Sequence, residues 1–177
     1  EKEVSEDWLV IITTDHGRDS LMGKNHGGQS DRERSTWIVT NADDLNERFR
    51  QMPGIVDIMP SLCNHLGIPV PGDIKKEIDG VPFIGEADFS DLKAERRDGT
   101  IALRWNDLGA AEGAKAEVFV SETNNFRQGG KDDYERVGEV AISEEGYVFD
   151  AAGKSGYLKI LLAGPHHDLN TWVVEGN

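Results

Sequence analysis

The run Trp8-Leu9-Val10-Ile11-Ile12-Thr13-Thr14 constrains the fold more than any other stretch. It is short, apolar and rich in β-branched residues, and it ends abruptly in Asp15-His16-Gly17. An unbroken apolar run of strand length predicts a strand covered on both faces, the pattern of a parallel sheet. Ligands of open α/β sheets bind beyond the carboxyl ends of strands, where Asp15 and His16 stand. A glycine-rich loop then leads to His26-Gly27-Gly28 and to a second apolar run, Thr36 to Thr40.

Between these runs lies a polar loop, residues 15–34, long enough to imply function when found inside a compact domain. Asn41 is placed to cap a helix, with Asp43 and Asp44 in its first turn and Leu45 and Phe49 on one face. Pro53-Gly54 stops that helix, and a second runs from about Val56 to Leu66, with Pro60 early in it and Gly67 ending it. Ile78 to Gly85 reads as a hairpin around Asp79-Gly80.

From Phe89 the texture changes. Seven short alternating runs, from Leu92–Glu95 to Asn170–Val174, predict an all-β sandwich of fibronectin type III or immunoglobulin type. Trp105 is its expected core anchor and Tyr157 its tyrosine corner. The expected fold class is therefore the C-terminal part of a mostly parallel α/β sheet with flanking helices (residues 1–87), followed by a β-sandwich (residues 88–177).

Composition narrows the partners. Residues 1–87 carry sixteen acids against nine bases and residues 88–177 seventeen against ten, so each part stands at -7. That charge argues against a nucleic-acid backbone as partner. No run is long enough to span a bilayer, and the charged opening at Glu1 is no signal peptide. The single Cys63 excludes an intrachain disulfide and reads as a small buried hydrophobe.

Asp15 and His16 at a strand end, turned by Gly17, bring an oxygen and a nitrogen donor to one ion, a normal zinc ligand pair. His26 either completes that shell or serves a second ion. Arg18, Lys24, Arg32 and Arg34 read mainly as solvated or paired with Asp19, Asp31 and Glu33. His65 reads as a packed or capping residue, and His166 and His167 as exposed loop residues. Trp172, Tyr134 and Phe126 are candidates for carbohydrate contact, and Asp132-Asp133 is a weak calcium pair.

Five pieces in order carry a family resemblance: Ile11 to Gly17, His26-Gly27-Gly28, Arg34 to Val39, Asp57 to Leu62 with Leu66 to Pro71, and Ile78 to Pro82. In these, residues 8–85 resemble the C-terminal end of the catalytic domain of the alkaline phosphatase superfamily, especially its nucleotide pyrophosphatase/phosphodiesterase branch. The resemblance implies two metal ions, commonly zinc, and phosphoryl transfer to a Ser or Thr nucleophile. It places Asp15 and His16 on the metal that holds the nucleophile and His26 on the other. The family's nucleophile, a further Asp ligand and an Asp/His pair lie upstream and have no match here. Thr13 and Thr14 are not at the nucleophile's position.

The resemblance thus implies the C-terminal portion of a metal-dependent phosphohydrolase, inactive alone, acting on a phosphate ester once joined to the missing N-terminal part of the catalytic domain. Sulfatases and cofactor-independent phosphoglycerate mutases share the superfamily and stay open. It also implies a bacterial protein that is periplasmic, on the cell surface or secreted. Strand 8–14, cut from its neighbours, predicts either self-association or a stable remainder left by proteolysis of a longer chain. The alternative is a non-catalytic module whose β-sandwich binds carbohydrate or a protein partner.

Overall fold

A computed structural model describes residues 8–154 and 156–174; the charged lead-in at residues 1–7 lies outside them. Among the described residues the expected parallel α/β sheet is not present. The structure is 35% strand and 18% helix, and the three sheets of the described residues are antiparallel.

The first sheet has two short strands, β1 (Ile11–Thr13) and β2 (Ile38–Thr40). They pair antiparallel with Ile12 opposite Val39. Asn41 closes the pair: its side chain accepts from Val10 N at 2.7 Å and donates to Trp8 O at 2.7 Å. It therefore caps no helix; Asn46 does so instead, accepting from Arg48 N at the start of α2 (Glu47–Arg50). Ile12 and Val39, on one face of the ribbon, are 52% and 56% exposed. An apolar run signals that a strand is to be covered, but it does not encode the direction of its neighbour or what covers it.

A helix of nine residues, α3 (Ile58–Leu66), follows and ends at Gly67 in the left-handed region (φ 62°). Residues 80–85 form no hairpin. They run extended beside α3, and side chains satisfy their backbone. Val81 N donates to Asp57 Oδ1 at 2.7 Å and Phe83 N to Ser61 Oγ at 2.8 Å. Asn46 Nδ2 donates to the carbonyls of Pro82 and Gly85. Gly80 passes so close to the Val56 carbonyl that a Cβ would sit 2.0 Å from its oxygen.

Beyond residue 88, β3 (Phe89–Arg97), β4 (Thr100–Asp107) and β7 (Gly146–Asp150) form one sheet in the order β3-β4-β7. The strands β5 (Lys115–Ser121), β6 (Glu135–Ala141), β8 (Tyr157–Ala163) and β9 (Asp168–Val174) form the other, in the order β6-β5-β8-β9. Side chains of both share one core, including Ile101, Leu103, Trp105, Val118, Ile160 and Val173, and Val81 joins it from the preceding segment. The Trp105 indole donates to the Ile142 carbonyl at 2.8 Å, so its burial leaves no orphan donor. None of the comparisons reported below supports the fibronectin type III assignment. No helix among the described residues is long and apolar enough to cross a membrane.

Candidate metal centre

Asp15, His16 and His26 meet in one open cleft of about 360 Å³, with Gly28, Glu33, Arg34 and residues 54–56 along its walls. Gly17 makes the sharp turn after β1. Its N–H donates to Glu33 O at 2.8 Å, and a Cβ there would sit 1.9 Å from Arg32 O. No other residue fits without moving the loop. Gly17→Ala is therefore expected to displace the His16 and His26 ring signals in a histidine-selective NMR spectrum while the β5 and β8 amide signals stay in place.

Carboxylates inside the loop hold its shape. Asp19 accepts from the backbone N–H groups of Leu21, Met22, Lys24 and Asn25. Those bonds, Met22's foremost, draw its pKa down to about 2. Glu33 accepts from Ser30 Oγ at 2.6 Å and from Gly28 N at 2.9 Å. The Ser30 hydroxyl is the main reason its carboxyl titrates below the usual range. Ser30 and Glu33 also form a capping box on the short helix α1 (Asp31–Arg34).

The two histidine rings stack, with centroids 4.3 Å apart and planes 19° apart. Ring-nitrogen lone pairs lie in the ring plane, so stacked rings point them side by side rather than at one ion. His16 Nδ1 lies 2.7 Å from the Gly17 carbonyl, which can only accept. That bond puts a proton on Nδ1, so in the neutral ring Nε2 carries the lone pair. Nε2 faces Asp15 Oδ2 at 3.4 Å. In that tautomer of the neutral ring, Nε2 and the carboxylate are two acceptors facing each other, an arrangement suited to a cation. The spacing also fits: two donors at about 2.05 Å on a tetrahedral zinc ion stand about 3.3 Å apart. Among the described residues no group of three or more His, Cys, Asp or Glu side chains converges as a metal shell.

The other sequence candidates lie elsewhere. Arg34 lines the cleft, while the Arg18 guanidinium turns to the Lys24 carbonyl. His65 is exposed on α3, and Cys63 is half-buried with Sγ 3.7 Å from Met59 Sδ. His167 is not an exposed loop residue: it is 6% exposed, accepts from Asp88 N and donates from Nε2 to Phe89 O at 2.9 Å. His166 Nδ1 lies 2.7 Å from Asp88 Oδ1 and Nε2 3.0 Å from Glu86 Oε2. Asp132 is buried against Lys159 and not presented to a calcium ion. Phe126 and Tyr134 line a separate cavity of about 470 Å³, and Trp172 is exposed on β9. The wall residues 54–56 carried no signal in the sequence, because chain folding alone brings them to the cleft.

Comparison with known proteins adds one partial similarity. The chain is 33% identical over 84 residues to GPI ethanolamine phosphate transferase 3 of Eremothecium gossypii, a match covering 38% of this chain and 8% of that protein. The chain thus spans a small part of the curated relative it matches. No family model and no solved structure matches it.

Proposed function

We propose that this chain is part of a metal-dependent protein of the alkaline phosphatase superfamily that hydrolyses or transfers phosphate esters. In this reading Asp15 and His16 hold one zinc ion and His26 a second. The observation that carries it is the facing pair Asp15 Oδ2 and His16 Nε2, 3.4 Å apart, with the proton of His16 fixed on the opposite nitrogen. The partial similarity to a phosphate transferase supports the phosphoester chemistry. When bound, zinc supplies Lewis acidity toward phosphoryl oxygens. Gly17 O holds Nδ1–H and so aims the ring, with Nε2 toward Asp15. Arg34 places a planar cation at the same cleft, suited to bidentate contact with a phosphoryl group. Two donors for one ion and one for the other fall short of the three or four protein ligands of a zinc site. Further ligands and the nucleophile then come from outside these residues, and this chain alone turns over no phosphodiester.

Zinc titration of the full chain against a chromogenic chelator tests the ligand assignment. Binding is expected, and His16→Ala and Asp15→Asn each weaken it about 10-fold or more, since each removes a donor from a shell already short of ligands. Equal zinc affinity in the wild type and both variants would show that the ion, if held, is held elsewhere.

A further inference from the structure

Strand β8 is buried on both faces. Leu158, Ile160 and Leu162 enter the shared core, while Lys159 points the other way and is only 2% exposed. Its ammonium pairs with Glu77, and with Asp132 Oδ2 at 3.0 Å. The Tyr134 hydroxyl donates to Glu77 Oε1 at 3.2 Å. Around this cluster, Lys75 pairs with Asp168 at 3.0 Å and Asn170 Nδ2 donates to Lys76 O at 3.2 Å. Segment 75–77, at the end of the short helix α4 (Gly72–Lys75), is thus fastened to β6's leading loop, β8 and β9.

Three residues past Glu77, Gly80 lies against the Val56 carbonyl with no room for a side chain. Val81 then donates to Asp57 and its side chain enters the β core. Val56 belongs to the wall of the cleft that holds Asp15, His16 and His26. The Lys159–Glu77 ion pair is therefore joined to that wall by three peptide bonds, from Glu77 to Gly80, and by the close approach of Gly80 to Val56.

We infer that the two β sheets are a fixed brace that positions the wall at residues 54–56 of the candidate cleft through residues 75–81. They are not a module tethered to it. Removing one partner of a buried ion pair leaves an uncompensated charge, so the Lys159–Glu77 pair resists separation of the segment from β8. The functional weight of the wall rests on the metal reading above; the tests below use no metal, so either idea can fail without the other.

In the full chain, Glu77→Gln is expected to shift the backbone amide signals of Gly54, Val56 and Asp57, while Arg136→Ala leaves them unmoved. Arg136 pairs with Glu117 and Glu139, both on the same sheet as Lys159 and neither in the braced segment. Changes confined to residues 77, 132–134 and 159 would overturn the inference. Should the Glu77 variant fail to fold, native-state hydrogen exchange of the wild type decides. The Val81 and Phe83 amides are expected to open on the same denaturant isotherm as the β5 and β8 amides. A separate opening of residues 81–83, at least 10-fold more frequent, would show an independent module instead.

Discussion

Asp57→Ala is expected to destabilise the chain by about 3–5 kcal/mol, the range for removing one partner of a buried ion pair. Asp57 is 1% exposed. Its Oδ2 accepts from Arg48 Nη2 at 2.8 Å, Arg48 Nε at 3.1 Å and Gly54 N at 2.8 Å. Its Oδ1 accepts from Val81 N at 2.7 Å. Alanine would strand a largely buried guanidinium and two backbone N–H groups at once, and each buried donor left unpaired costs about 1–3 kcal/mol. For a chain of this length the midpoint of thermal unfolding drops on the order of 10 °C. Asp57→Asn keeps an acceptor for Val81 but faces Arg48 with an amide, so it falls between. A loss below about 1 kcal/mol would mean that the freed donors reach water, and that the loop 80–85 is held by its apolar contacts instead. Val81, Phe83 and Ile84 are buried and would then carry that segment.

Acid is expected to cost this protein up to about 3 kcal/mol through His167 alone, since each pKa unit is worth about 1.4 kcal/mol. Burial pushes its pKa down to about 4, against the pull of Asp88 and of the Phe89 carbonyl, with Lys75 and His166 adding to the depression. A folded-state pKa below the unfolded value means that the unfolded chain takes up the proton more readily. The contribution is therefore fully present above about pH 6.5 and is lost as pH falls toward 4. Asp168 works in the opposite sense, because burial raises its carboxyl pKa and favours the protonated form in the fold. Urea unfolding at pH 7, 5.5 and 4.5 measures the slope. His167→Gln, which retains an acceptor and a donor at this position, is expected to flatten it. An unchanged slope in that variant would assign the acid sensitivity to the carboxylates.

Local chemistry was legible in the sequence where one residue decides one geometry. Asp15-His16-Gly17 read as a strand end carrying two donors, and the structure places both beside His26 in one cleft. Gly67 reads as a helix stop and is one. The alternation after Phe89 marked strand positions, because one buried face imposes a period of two on each strand. Asn41 and Asn46 show where such reading ends. Both have capping side chains, and only the strand beside Asn41 diverted it to Val10 and Trp8.

By itself the sequence determined which side chains flank the end of β1, the turns that need glycine and the apolar rhythm of the strands, since these follow from side-chain chemistry and backbone sterics within a few residues. Tertiary structure alone decided that β1 and β2 run antiparallel, that His167 is buried and neutral, and that Lys159, in the middle of an apolar strand, meets Glu77 from 82 positions away. Strand direction, burial and ion pairing depend on which distant segments arrive, and no local pattern encodes the partner's identity.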